Sequence, residues 1–180
     1  GKLTPKLWEL KAGDCLSMGD KITGNFTLDD IPQNQNLIMI GTGTGLAPYR
    51  SMYHTHANSN PPRWKNFILF DGCRLAHDLG YLDEMQQLDK NDDAFQYLPT
   101  ITREPADSSW SGLRGRVTDY CDPAAFKKLT HIDLTPTDCH IFLCGNPAMI
   151  DQCERIFTAQ GFVTQDREHP DGTIHLERYW

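Results

Sequence analysis

A glycine-rich turn is the first segment whose residue types and spacing suit a chemical role. It reads Gly41-Thr42-Gly43-Thr44-Gly45-Leu46-Ala47-Pro48 and lies directly between an apolar run and a helical pattern. Glycines let the backbone adopt positive φ and approach a phosphate group closely, and the first turn of a helix offers unpaired N–H groups to an anion. The spacing is not GxGxxG, so the turn alone fits both a phosphate site and a plain strand-to-helix connection.

A second segment of this kind is Cys144-Gly145-Asn146-Pro147-Ala148-Met149, which also follows an apolar run and opens a helical pattern. A lone buried cysteine most often packs as a small apolar residue. Asn146 and Pro147 are typical of the cap and the first residue of a helix. The segment therefore predicts a helix that begins at the carboxyl end of a strand.

Three arginines lie in the loops that follow the apolar runs, namely Arg74, Arg103 and Arg116. Singly, each is most simply a solvated surface residue. Together, at the ends of neighbouring strands, their guanidinium groups can clamp phosphates through charge-assisted and partly bidentate hydrogen bonds.

The elements that must position these residues follow from the hydrophobic pattern. Apolar runs at residues 37–40, 67–70, 97–101 and 141–144 indicate strands, with helices expected at about 48–57, 77–90, 120–129 and 148–160. This alternation predicts an α/β fold with a parallel, five-stranded, doubly wound sheet whose ligands bind at the carboxyl ends of the strands. Residues 1–35 are patterned differently and look like the C-terminal remnant of an antiparallel β-barrel, so we expect residues 36–180 to form the nucleotide-binding domain.

The two strand-end segments, in this order, resemble those of the bacterial-type ferredoxin (flavodoxin) NADP reductases, as does the sequence Thr102-Arg103-Glu104. In that family the cysteine of the second segment borders the nicotinamide, which gives Cys144 a catalytic role by resemblance. The resemblance also assigns cofactor contacts to residues of both segments and of the strand ends: Thr42, Gly43, Thr44, Gly45, Pro48, Cys73, Arg74, Thr102, Arg103, Arg116, Cys144, Gly145, Asn146 and Pro147.

The two ends of the chain resemble the flavin-contacting parts of the same family. Lys2, Leu3 and Thr4 correspond to contacts of the FAD pyrophosphate, and Tyr179 and Trp180 correspond to the terminal aromatics that lie on the flavin and adenine rings, Tyr179 at the catalytic centre. The family's Arg-x-Tyr-Ser/Thr flavin motif does not occur. We therefore expect the chain to be a fragment with an incomplete FAD site, inactive on its own, which a further β-barrel precedes in the parent.

The implied activity is hydride transfer between NADP(H) and FAD, with one-electron exchange to ferredoxin or flavodoxin. Asp71 departs from this expectation, because an acid at the end of the second strand often binds a ribose hydroxyl and favours NAD. This leaves the preference for NADPH over NADH open, and an NADH-dependent oxygenase or flavin reductase is one alternative. A second alternative, on fold grounds, is a non-catalytic nucleotide-binding module.

Composition excludes several other classes of function. The 180 residues carry a formal net charge of -7, which argues against nucleic acid as the main ligand. The six cysteines form no CxxC pair, and His54 and His56 would point to different sides of a helix, so no metal site is expected. No apolar run is long enough to span a membrane, and we expect a soluble, cytoplasmic monomer.

Overall fold

Six parallel strands form the centre of the computed structural model, which describes residues 2–21 and 23–178. Their order in the sheet is β4-β3-β2-β1-β5-β6. The strands are β1 (Asn36–Thr42), β2 (Asn66–Cys73), β3 (Phe95–Ile101), β4 (Leu113–Arg114), β5 (Cys139–Gly145) and β6 (Ile174–Arg178). The predicted α/β class and parallel sheet are confirmed. The sheet has six strands rather than the expected five, and neither β4 nor β6 lies within the four apolar runs of the sequence. With two residues, β4 is too short to leave a hydrophobic pattern, and β6 contains the polar residues His175, Glu177 and Arg178.

Helices cover both faces of this sheet, which explains why the central strands are apolar at nearly every position. Leu37 and Met39 of β1 belong to the core on one face, and Ile38 and Ile40 belong to the core on the other face. The five helices of the described residues are α1 (Thr4–Trp8), α2 (Leu46–His56), α3 (Leu82–Asn91), α4 (Pro123–Thr130) and α5 (Pro147–Thr158).

Helix α5 begins one residue earlier and ends two residues earlier than the predicted span of 148–160. The Asn146 side chain accepts hydrogen bonds from the backbone N–H groups of Ala148 and Met149, and Pro147 is the first helical residue. Gly161, with φ of 92°, follows the helix. Helix α3 starts later than predicted, because Tyr81 adopts the left-handed conformation with φ of 56° and separates α3 from a 3₁₀ turn at Ala76–Asp78.

The N-terminal segment does not have the structure that a barrel remnant predicts. Within residues 2–21 and 23–35 the structure has the short helix α1 and no strand, and no residue of α1 is buried. The apolar side chains of Leu3, Trp8, Leu16 and Met18 are exposed. A strand needs a partner strand for its backbone hydrogen bonds, and the described residues provide none for this segment. The division at residue 35 stays a prediction; Leu28 and Ile31 already pack into the core of the α/β unit.

Candidate functional site

A cleft of about 580 Å³ lies at the carboxyl edge of the sheet. Turns that follow five successive strands of the chain supply its walls, which is the position expected for the ligand site of a doubly wound sheet. The lining residues are Thr42, Gly43, Thr44, Gly72, Cys73, Arg74, Asp78, Thr102, Gly115, Arg116, Val117, Thr118, Asn146, Ala148, Met149 and Gln152.

The glycine-rich turn, residues 41–48, and the segment of residues 144–149 meet at this cleft. The backbone N–H of Asn146 donates to the Thr42 hydroxyl at 2.9 Å, which ties the turn after β1 to the turn after β5. Gly145 has φ of 130°, and a Cβ there would lie 2.7 Å from the Thr42 carbonyl oxygen. A Cβ on Gly45 would likewise lie only 2.8 Å from the carbonyl carbon of Cys144. Glycine is therefore required at both contacts by close backbone approach.

The three arginines lie as the sequence predicts, at neighbouring strand ends. Arg74 and Arg116 line the cleft, and Arg103 is exposed beside Thr102, its backbone N–H donating to the carbonyl oxygen of Arg74 at 2.8 Å. Within residues 2–21 and 23–178, no carboxylate or hydrogen-bond acceptor engages the guanidinium group of any of the three. Their positive charges are therefore available for an anionic ligand.

Two further side chains fix the loops that carry these arginines. The Glu104 carboxylate accepts a hydrogen bond from the Ala76 backbone N–H at 2.9 Å and so joins the loops after β2 and β3. The Arg114 guanidinium donates to the carbonyl oxygens of Glu104 and Pro105 and to the hydroxyl of Ser108. Arg114 is thus occupied within the protein, and its role is to hold the wall of the cleft.

Thr118 is a lining residue that sequence reasoning missed. Its side chain is 6% exposed, and its hydroxyl oxygen has no hydrogen-bond partner among the described residues. A buried hydroxyl without a partner is costly unless a ligand or water completes it. The orphaned hydroxyl and the free guanidinium groups fit a polar, anionic ligand such as a dinucleotide. No feature of the sequence distinguishes Thr118 from other threonines in loops.

Asp71 does not reach the cleft, which removes the sequence argument for NAD. Its carboxylate is buried beside Tyr97 of β3, and it accepts a hydrogen bond from the Tyr97 hydroxyl at 2.9 Å. The second carboxylate oxygen has no partner among the described residues. Burial raises the pKa of Asp71 to about 6, although the Tyr97 hydrogen bond acts in the opposite direction. Asp71 is therefore a structural acid and not a ligand of a ribose.

Replacing Asp71 by asparagine is expected to stabilise the fold at high pH. The folded-state pKa of Asp71, about 6, lies above that of an unfolded aspartate, about 4. The charge of Asp71 therefore opposes folding fully above pH 6. This penalty decreases as the pH falls from about 6 to about 4, and it is absent at lower pH. Asp71→Asn should raise the free energy of unfolding by about 1 to 3 kcal/mol at pH 8 and change it little at pH 4. Urea unfolding at both pH values measures this. Asp93→Asn, at an exposed site, is the control, and an equal response of both variants would contradict the assignment.

The remaining residues predicted to bind cofactor lie in different surroundings. Cys73 lines the cleft, and burial raises the pKa of its thiol to about 12, so it is not a reactive thiolate. Cys144 is completely buried and belongs to the core cluster, while Pro48 is half-buried in the first turn of α2. Residues 2–4 are exposed, and Tyr179 and Trp180 lie outside the described residues.

Other kinds of site are not found in the described part of the chain. Residues 2–21 and 23–178 contain no group of three or more His, Cys, Asp or Glu side chains that could hold a metal ion. None of the described helices is long and apolar enough to cross a membrane.

Comparison with known proteins identifies a matching family and similar reductases. Residues 39–155 match the family model of the oxidoreductase NAD-binding domain. The whole chain is 34% identical to the flavodoxin/ferredoxin NADP reductase of Buchnera aphidicola subsp. Schizaphis graminum and covers 68% of that protein. It is 31% identical to the enzyme of the same name from Escherichia coli and covers 71% of it.

The fold is also that of a solved reductase. The crystal structure of a ferredoxin NADP+ reductase from Neisseria gonorrhoeae with bound FAD and NADP matches with a TM-score of 0.83. The match covers 100% of this chain and 70% of that one at 22% identity, so it concerns the fold.

Proposed function

Because the chain belongs to the family of flavodoxin/ferredoxin NADP reductases, we propose that its cleft binds NADP(H) through the arginines at the strand ends. The observation that carries this proposal is the pair Arg74 and Arg116, which line the cleft without an internal partner among the described residues. By contrast, Arg50 pairs with Glu84 at 2.9 Å. Arginines kept free of carboxylates at a cleft suit phosphate groups, which they bind bidentately.

The protein is an oxidoreductase of this family and works with NADP(H) and FAD. The bound cofactors supply the redox chemistry, in which a hydride passes between the nicotinamide and the flavin and single electrons pass to a ferredoxin-type partner. The protein's own residues bind and orient the nucleotide. Gly43, where a Cβ would meet nothing within 4 Å, leaves room for close approach to the cleft, and the Thr118 hydroxyl offers a hydrogen bond.

Several finer assignments belong to the same proposal. Arg74, Arg103 and Arg116 would together bind the 2'-phosphate and the pyrophosphate, with Thr102 beside them. Residues 1–35 would complete the flavin domain and residues 36–180 would hold the nucleotide. The contacts of Lys2, Leu3, Thr4, Tyr179 and Trp180 with FAD, a role for flavodoxin as partner, and a monomeric state rest on resemblance to the family.

The test of this function is NADPH-dependent reduction of a ferredoxin by the FAD-loaded reductase, followed spectroscopically beside the same reaction with NADH. We expect NADPH to support the faster reduction, because only NADPH carries the phosphate that the free arginines would bind. A preference for NADH would favour an NADH-dependent oxygenase or flavin reductase. Tight NADP+ binding without any turnover would favour a non-catalytic module.

Cys144→Ala in the flavin-loaded reductase is expected to lower the single-turnover rate of hydride transfer while the Kd for NADP+ changes little. This is the pattern of an interaction that acts mainly near the transition state. Cys139→Ala provides the control, since Cys139 is an equally buried cysteine at the opposite end of β5. If both variants transfer hydride at the wild-type rate, Cys144 is a core residue only.

The 180-residue chain by itself is expected to retain FAD poorly. The residues of its described part that are proposed to contact the flavin, Lys2, Leu3, Thr4 and Thr44, are all exposed, and no residue of α1 is buried. Visible absorption of the purified chain measures the flavin content. An equimolar yellow complex would contradict this expectation and would require the residues present to build the whole flavin pocket.

A further inference from the structure

Two buried cysteines that take no part in the proposed function lie close together behind the cleft. Cys121 ends the 3₁₀ turn Val117–Tyr120, and Cys153 lies in the middle of α5. Their sulfur atoms are 3.7 Å apart, and the side chains are 1% and 0% exposed. The Cys153 sulfur also contacts the Met149 sulfur at 3.7 Å.

This pair connects the two walls of the cleft from the inside. Val117 and Thr118, on the turn that Cys121 ends, form one wall. Met149 and Gln152, on the helix that contains Cys153, form the other wall. The Val117 side chain also packs directly against Gly72 of β2, where an added Cβ would lie only 2.8 Å from it. A movement of the turn therefore changes its contact with β2.

We propose that Cys121 and Cys153 are an oxidation site at which a peroxide forms a disulfide that closes the nucleotide cleft; the regulatory consequence rests on the proposed function. An S–S bond of about 2.05 Å requires the sulfurs to approach by roughly 1.6 Å. Since Cys121 ends the turn that carries Val117 and Thr118, and Cys153 lies on the helix that carries Met149 and Gln152, this approach draws the turn and α5 together. The reduced pair leaves the cleft open, and the oxidised pair narrows it.

The chemistry balances with hydrogen peroxide as the two-electron oxidant. The sulfur of one cysteine attacks a peroxide oxygen, the O–O bond breaks, and a sulfenic acid and one water form. The sulfur of the second cysteine then attacks the sulfenic sulfur, and the hydroxyl group leaves with the thiol proton as a second water. In total two S–H bonds and one O–O bond break, one S–S bond and two O–H bonds form, and the two thiols are oxidised while the peroxide is reduced.

The surroundings of the pair determine how fast this reaction runs. The hydrogen bond with Cys153 and the burial of the side chain raise the pKa of Cys121, so the Cys121 thiol stays protonated at neutral pH and reacts slowly. Met149 is 8% exposed, lines the cleft and contacts Cys153, so the Met149 side chain lies between the Cys153 sulfur and the cleft. We therefore expect oxidation to be slow and to require a sustained supply of peroxide.

The first measurement tests the bond itself. The protein is incubated with hydrogen peroxide, free thiols are alkylated, and peptides are mapped by mass spectrometry before and after treatment with dithiothreitol. We expect a linked Cys121–Cys153 peptide, two hydrogens lighter than the reduced pair, which dithiothreitol removes. If Cys15, the exposed cysteine, is oxidised while the linked peptide does not form, the proposal is wrong.

The second measurement tests the consequence for the cleft. Titration of NADP+ should give a Kd at least threefold higher for the oxidised protein than for the reduced protein, and dithiothreitol should restore the lower value. Cys121→Ala and Cys153→Ala should each abolish the effect of peroxide, and Cys15→Ala should leave it intact. An unchanged Kd in the cross-linked protein, or a loss that dithiothreitol does not reverse and that instead tracks oxidation of Met149, would overturn the proposal.

These measurements separate the inference from the proposed function. If the reduced protein does not bind NADP+, the proposed function fails, and the regulatory consequence fails with it, whatever the peptide map contains. If the reduced protein binds NADP+ and no linked peptide forms, the oxidation site alone is wrong.

Discussion

Gly45→Ala is expected to destabilise the fold by at least about 3 kcal/mol, because the added methyl group has no space. A Cβ at this position would overlap the Cys144 carbonyl oxygen and lie 2.8 Å from its carbonyl carbon. The Cys144 backbone cannot retreat, since β5 is hydrogen-bonded to β1 on one side and to β6 on the other. A loss of this size is a large fraction of the stability of a domain. Urea unfolding measures it.

Two other glycines supply matched controls for this variant. A Cβ on Gly80 would meet nothing within 4 Å, so Gly80→Ala should change the free energy of unfolding by no more than about 0.5 kcal/mol. Gly43 has open space but φ of 57°, so Gly43→Ala should cost only about 1 to 2 kcal/mol of backbone strain. A Gly45→Ala variant as stable as Gly80→Ala would refute the contact between the two turns.

Arg74→Ala and Arg116→Ala are each expected to raise the Kd for NADP+ by roughly 10-fold to 150-fold, since a hydrogen bond to a charged group contributes about 1.5 to 3 kcal/mol. The Kd for NAD+ should change less than about threefold, because NAD+ lacks the 2'-phosphate that these arginines are proposed to bind. Titration of both nucleotides against each variant gives the comparison.

Arg167→Ala is the control for this series, since Arg167 is exposed and does not line the cleft. It removes one positive charge from the same acidic chain and should leave both affinities unchanged. Equal losses for NADP+ and NAD+ in the Arg74 and Arg116 variants would mean that these residues contact a part common to both nucleotides, and would reject recognition of the 2'-phosphate.

The sequence predicted the parts of the fold that local patterns determine. Residues 37–40 and 141–144 are continuous apolar runs because the strands that contain them are covered on both faces. Asn146 and Pro147 predict the start of α5, because Asn146 caps the first N–H groups of the helix and proline is favoured as its first residue. The strand ends then fix where Arg74 and Arg116 lie, which is why their place at the cleft was predictable.

The parts that depend on distant partners were not predictable. Asp71 follows an apolar run, as a ribose ligand would, and only its hydrogen bond with the Tyr97 hydroxyl, 26 residues away in sequence, identifies it as a buried structural acid. Thr118 is distinguished by the absence of a hydrogen-bond partner for its hydroxyl among the described residues, a property of packing and not of sequence. The β-barrel remnant was expected from the pattern of residues 1–35, yet a strand forms only where another strand accepts its hydrogen bonds.

The position of β1 between β2 and β5 has a consequence for synthesis of the chain. One edge of β1 pairs with residues 66–72, which leave the ribosome soon after it, but the other edge pairs with residues 139–144, about a hundred residues later. Until then an apolar strand with unpaired N–H and C=O groups is a template for other chains. Contacts so distant in sequence also form slowly. The cleft, whose turns after β1 and β5 are joined by Thr42 and Asn146, therefore arises late in folding, and the nascent chain needs protection from aggregation up to that moment.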